Sequence, residues 1–258
     1  MPAKAGQTAL SGSQIKPPAL PEVHDFNIMK GKMKPLNEKT LVQAVRSLAH
    51  LDSDLAKIAA DLGPPPIWAR QQGFRTLIHI ILEQQVSLVS ARAAFDRLLS
   101  VAIPLTPERF LRLSDSELKS IGFSRQKTFY GRSLAHAIVQ RDLDVAALNS
   151  MDDECVRSEL MKVKGIGRWT SDIYLLMALL RPDVWPRGDL ALALAVQQVK
   201  SLRQRPTEEE LTHISSEWEP WRSVAARLLW HKYLSRDSAA QSNKRMQRGP
   251  RNETVSAA

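Results

Sequence analysis

The stretch from Val163 to Asp189, VKGIGRWTSDIYLLMALLRPDVWPRGD, limits the folds open to this chain more than any other segment. Trp169, Ile173, Leu176, Met177 and Leu180 recur at the three-and-four spacing of a buried helical face. Before them, a helix ending near Val163 runs into a tight turn on Gly165-Ile166-Gly167, so the segment reads as a helix-hairpin-helix. Glycines let backbone approach a ligand closely. The amides that open the second helix are unpaired donors at the positive end of its dipole, and a phosphate fits there without a side chain. Further on, Gly188-Asp189 precedes the apolar run Leu190, Leu192, Leu194, Val196 and Val199. A carboxylate therefore stands at the mouth of a new helix, a fixed distance from a phosphate-binding turn.

The rest of the chain reads as helix after helix. Leu41, Val45, Leu48 and Ala49 form one stripe; Leu55, Ile58, Ala59 and Leu62 form the next, which stops at Gly63 before three prolines. Residues 74 to 82 are strongly apolar and are expected at the centre. Ser114 with Glu117, Ser150 with Asp153 and Thr207 with Glu210 have capping-box spacing, and Pro107 and Pro220 suit a first helical turn. Strand-like alternation is confined to VAIPL and DVWP, so the expected fold is all-α.

With 258 residues, 43% hydrophobic and 24% charged, the chain is long enough for one large or two small domains. No apolar run is long enough to span a membrane, and the N-terminus lacks the apolar core of a secretory signal. The lone cysteine, Cys155, excludes an intramolecular disulfide and a four-cysteine metal site, fits a reducing compartment, and is expected as a small buried thiol within a helix. His79, His136, His213 and His231 have no ligand spacing, so no catalytic metal is expected. The net charge of +9 hints at a polyanionic partner. Residues 1–37 and 236–258 each carry +3 of it, which leaves +3 for the middle. Both ends are polar and aperiodic and are expected to be disordered, with a single folded domain over 38–235.

Five segments in order resemble the helix-hairpin-helix DNA glycosylases, and within them the 3-methyladenine DNA glycosylase II branch. They are ILEQQVSLVSARAAF at 81–95, IGFSRQK at 121–127, KGIGRWTS at 164–171, PDVWPRGD at 182–189 and WEPWRSVAARLLW at 218–230. The resemblance covers roughly residues 40 to 235, and the hairpin with its following aspartate is the most specific part. It implies two helical lobes with a DNA-binding cleft, one lobe formed by the middle of the chain and the other by its N- and C-terminal helices. The β-rich N-terminal domain of some relatives is not expected in the short stretch before residue 40.

An enzyme that acts on a stacked base needs a backbone anchor, a wedge, an aromatic pocket and a group that stabilises the sugar cation. The resemblance implies an anchor at Lys164, Gly165, Ile166, Gly167 and Arg168, and a wedge at Gln84 and Gln85. It implies a pocket at Trp169 and Trp221, and Asp189 as the carboxylate facing oxocarbenium character. Each has a plainer alternative. The glycines can end a helix, the glutamines can terminate one, tryptophans can be core, and Asp189 can be only an N-cap. Hairpin carbonyls are implied to hold a monovalent cation. Relatives that also nick the backbone carry a lysine nucleophile two residues past the last hairpin glycine; here that position is Trp169, so strand cleavage is not expected. The expected activity is a monofunctional glycosylase acting on alkylated purines in double-stranded DNA as a monomer, in a bacterial cytoplasm or a nucleus. The other reading is a non-enzymatic DNA-binding protein that uses the hairpin only to grip phosphates.

Overall fold

The computed structural model describes residues 34–247, with side chains described as far as Arg236. The expectations for residues 1–33 and 248–258 lie outside the described residues. Among those described the secondary structure is helical throughout: α1 (Glu38–Leu51), α2 (Ser53–Leu62), α3 (Phe74–Glu83), α4 (Leu88–Val101), α5 (Pro107–Arg112), α6 (Asp115–Ile121), α7 (Arg125–Val139), α8 (Asp153–Met161), α9 (Arg168–Met177), α10 (Leu190–Val199), α11 (Glu208–Ser216) and α12 (Arg222–Gln247).

Two groups of helices share the core. The sequence-central helix α3 packs against α4, α7 and α9, with Leu77, Ile78, Ile80 and Ile81 wholly buried. Each such side chain contributes roughly 1.5–3 kcal/mol of burial, and truncating one to alanine would cost about 2–5 kcal/mol. In the second group the N-terminal helices α1 and α2 lie against the C-terminal helix α12, which also packs on α10. The first and last folded parts of the chain thus build one lobe together.

Arg227 joins the groups. Wholly buried, it donates from Nε to the Ile67 carbonyl (2.9 Å), from Nη1 to Ser223 (3.0 Å) and from Nη2 to Leu176 (2.7 Å). Burial pulls its pKa down to about 10, so it remains a cation at neutral pH. That charge sits at the negative end of the α9 dipole and fixes α12 against α9.

Several local expectations need correction. The folded region begins before residue 38: Leu36 is buried and donates its amide to the Leu180 carbonyl, and Asn37 caps α1. Helix α12 runs on to Gln247, inside the segment that composition marks as a polar tail. Ser114 and Thr207 form capping boxes with Glu117 and Glu210, but α8 is capped by Asp152, not Ser150, because the Asp152 carboxylate reaches the amide of Cys155. Pro107 opens α5, whereas Pro220 lies before α12. Cys155 is exposed, since the buried face of α8 runs through Val156, Arg157 and Leu160.

Candidate active site and nucleic-acid interface

The hairpin between α8 and α9 is shaped by Gly165. At φ +91° it holds a left-handed conformation, and a Cβ there would fall 2.0 Å from the ring of Tyr130 on α7. Ile166 points into the core at 5% exposure, so its side chain anchors the turn. Gly167 differs from Gly165. Its φ of −104° suits any residue, a Cβ would meet nothing within 4 Å, and it caps α9 with no side-chain bond to the first-turn amides. Amides left without a side-chain cap at the opening of a helix are what a phosphate site requires.

The two charges beside the hairpin are not equivalent. Lys164 is exposed, while Arg168 is paired with Glu154 (3.3 Å) and Asp172 (3.5 Å). Asp172 is wholly buried. It also accepts from Arg157 Nε at 2.6 Å and from the amide of Arg187 at 3.4 Å, so it ties α8 and α9 to the loop that delivers Asp189. Glu208 braces the same loop at the amide of Gly188 (3.1 Å), and Arg222 does so through Asp183 (2.8 Å).

Asp189 caps α10 by accepting the Leu192 amide on Oδ1 at 2.8 Å. The same oxygen accepts the indole N–H of Trp230 at 3.3 Å, and Oδ2 accepts that of Trp169 at 3.0 Å. A carboxylate offers about four lone-pair directions. Three are occupied here and one on Oδ2 is left, so the group is held in a fixed orientation with one acceptor position open for chemistry. Being a cap and being a site residue are therefore compatible.

The expected pocket pair is changed by this geometry. Trp169 stands against Asp189, but its partner there is the buried Trp230. Trp221 makes no bond to Asp189; it precedes α12, packs partly buried against the core, and has a buried indole nitrogen without a partner. Trp230 lies in the same WEPWRSVAARLLW segment, more than two turns into the helix that packs on α10. Within that segment it is Trp230, on α12, and not Trp221 that bonds to Asp189.

Gln84 and Gln85 also separate. Gln84 donates both amide hydrogens inward, to the Gly165 carbonyl and to Thr170 Oγ1, each at 2.9 Å. Gln85 is exposed, in a left-handed conformation at φ +56°, and leads through Val86 into the start of α4, with Val86, Leu88 and Val89 at 45%, 56% and 78% exposure. Of the two, Gln85 is the side chain turned to solvent.

No cluster of three or more potential metal-ligating side chains occurs among the described residues. At the hairpin, the Gly165 carbonyl already takes Gln84 and the Val163 carbonyl takes the amide of Ile166 (3.1 Å). A monovalent cation there would rely on the second lone pair of each. No described helix is long and apolar enough to cross a membrane.

Residues 78–220 match the family described as HhH-GPD superfamily base excision DNA repair protein. A putative DNA-3-methyladenine glycosylase of Bacillus subtilis is 27% identical over 69% of this chain, and this chain spans 65% of that protein's length, just under two thirds. DNA-3-methyladenine glycosylase 1 of Schizosaccharomyces pombe is 28% identical, covering 74% of this chain and 87% of its own. The solved structure of the S. pombe 3-methyladenine DNA glycosylase in complex with abasic DNA superposes with a TM-score of 0.70 at 27% identity, covering 73% of this chain and 95% of that one.

Proposed function

This chain belongs to the HhH-GPD superfamily of base excision DNA repair proteins, and from that premise we propose that it is a monofunctional DNA glycosylase that releases alkylated purines of the 3-methyladenine type from double-stranded DNA. The observation that carries the reading is Asp189, fixed by two indoles and a backbone amide with one Oδ2 lone pair free.

In the proposed reaction the hairpin amides after Gly167 take a phosphate of the damaged strand, which sets register without reading bases. Gln85 enters the stack as the target nucleotide turns out, and the extruded base lies against the indole of Trp169, while the buried Trp230 holds Asp189 from behind. An alkylated purine already carries positive charge. When the C1′–N bond breaks, the electron pair leaves with the base and neutralises it, so no protein acid is needed. Positive charge then develops on the sugar, where the Asp189 carboxylate stabilises it and orients a water. The water oxygen bonds to C1′, its proton passes to solvent, and an abasic site remains.

Trp169 at the position of the lyase lysine supports hydrolysis without strand cleavage. The single cysteine and the DNA substrate support action in a reducing compartment, a bacterial cytoplasm or a nucleus, and we propose a monomer. The deciding experiment is incubation with alkylated duplex DNA, chromatography of the released free bases, and gel analysis of the product strand. Free methylated purines with abasic sites that break only in alkali are expected. A borohydride-trapped covalent complex would overturn the monofunctional assignment, and binding without release would leave a DNA-binding module.

A further inference from the structure

We propose that Gln84 is a positioning residue that couples the phosphate-gripping hairpin to the wedge turn, so that seating of the strand on α9 sets how far Gln85 enters the duplex. The inference rests on the glycosylase reading and deepens it.

Gln84 follows the last residue of α3, and its side chain crosses to the hairpin. One amide nitrogen supplies both bonds, to Gly165 inside the turn and to Thr170 in the first turn of α9. These two acceptors flank the amides that would receive a phosphate. The chain then passes directly into Gln85, which is exposed and left-handed. A second tie acts at the same root: Lys127 on α7 donates to the Leu82 carbonyl at 2.6 Å, and Tyr130, one turn along that helix, lies against Gly165. Burial also lowers the pKa of Lys127. The end of α3, the start of α7 and the hairpin therefore share one hydrogen-bonded junction, with the wedge growing from it. A displacement of about 1 Å in such a junction can cost up to a hundredfold in rate.

The chemistry at this position is specific. The Gly165 carbonyl accepts and cannot donate, so only an N–H from residue 84 makes the bond. Glutamate has the same length but would bring a carboxylate oxygen against that carbonyl. If Gln84 acted only by filling space, glutamate would restore what alanine loses.

The test uses the full chain as wild type, Gln84→Ala, Gln84→Glu, Gln85→Ala and the Gln84→Ala/Gln85→Ala double variant. Base excision is measured on duplex and on single strands, and the fluorescence of 2-aminopurine placed opposite a tetrahydrofuran abasic analogue reports wedge insertion. Gln84→Ala is expected to slow duplex excision on the order of tenfold and single-strand excision by much less, since no wedge is needed there. Gln84→Glu should follow alanine, and the double variant should lose little beyond Gln85→Ala, since there is no wedge left to position. Equal losses on both substrates, recovery by Gln84→Glu, or effects that multiply in the double variant would each overturn the proposal. If wild type releases no base, the glycosylase reading fails, and the fluorescence arm still decides the coupling: an unchanged 2-aminopurine signal in Gln84→Ala overturns it.

Discussion

Trp169 donates its indole N–H to Oδ2 of Asp189 at 3.0 Å across twenty residues of chain. The bond gives Trp169 two separable duties. Its ring offers a face to an extruded base, and its nitrogen holds the carboxylate that would face the sugar.

Trp169→Phe separates these duties, because phenylalanine keeps a ring and loses the donor. Single-turnover excision is expected to fall by about tenfold, the scale of losing one hydrogen bond to a charged group. Trp169→Ala, which also loses the stacking surface, should fall considerably further. Equal losses in the two variants would mean that the ring face does not contribute.

The two hairpin glycines should respond in opposite ways. Gly165→Ala forces a side chain into a left-handed backbone and against the Tyr130 ring, so the fold should lose about 2–4 kcal/mol, read as a fall in the thermal midpoint. Gly167→Val meets open space on ordinary backbone, so stability should fall by no more than about 1 kcal/mol, the scale of exchanging a glycine N-cap for a poorer one. The valine would crowd a phosphate instead, and affinity for damaged and undamaged duplex should weaken alike.

What the sequence could and could not reveal follows from the range of each interaction. The capping boxes at Ser114 and Thr207 are legible because cap and partner lie three residues apart. The hairpin and Asp189 are legible because glycines before a helix and an aspartate at the mouth of another are local patterns. Trp230 is not, since its place depends on how α12 packs against α10, and 41 residues separate it from Asp189. The division of labour between Gln84 and Gln85 is hidden for a different reason. Adjacent identical residues are told apart only by the backbone turn that sends one inward and the other to solvent.

A third prediction concerns the buried junction of the two chain ends. Asp52 caps α2 and accepts from Lys200 (2.8 Å) and from the indole of Trp218 (2.9 Å). Burial alone would push the Asp52 carboxyl up, but the bonds from Lys200, Trp218 and the Asp54 amide outweigh it and hold its pKa below the usual carboxylate value. Lys200 moves the other way, its bonds to Asp52 and Asp54 outweighing burial to raise its pKa. A carboxyl whose pKa is lower folded than unfolded stabilises above the unfolded value, about 4, and that stability is lost as pH falls through the folded value. The raised amine stabilises below about 10.4, and its contribution is lost as pH rises through the folded value. The junction's contribution should thus be flat between these limits. Asp52→Ala should cost about 2–4 kcal/mol at pH 7, since it removes the α2 cap, leaves Trp218 without its acceptor and leaves Lys200 with Asp54 alone, and should flatten the fall in thermal midpoint below pH 4. A variant as acid-sensitive as wild type would place the sensitivity in other carboxyls.

Asp189→Asn tests the proposed reaction most directly, and the geometry sharpens what it should do. Asparagine is about as good an N-cap as aspartate, so the bond to the Leu192 amide can persist. The amide has a single oxygen, however, and if this takes the place of Oδ1, the NH2 group faces the Trp169 indole N–H, donor against donor. The expected destabilisation is about 1 kcal/mol, at the low end for an unsatisfied donor because Trp169 is only half-buried, and the thermal midpoint should fall by a few degrees. Loss of the negative charge acts on catalysis. Excision should fall on the order of a hundredfold or more, while affinity for an abasic-analogue duplex is retained. Trp169→Phe provides the control, since it disturbs the same bond and keeps the charge; the excess loss in Asp189→Asn over Trp169→Phe measures the electrostatic part. That excess should be smaller for 7-methylguanine, whose own positive charge lowers its barrier, than for hypoxanthine, a neutral leaving group. If the two variants lose equal activity on both bases, Asp189 acts only as a cap and a tether for Trp169, and the carboxylate has no part in stabilising the sugar cation.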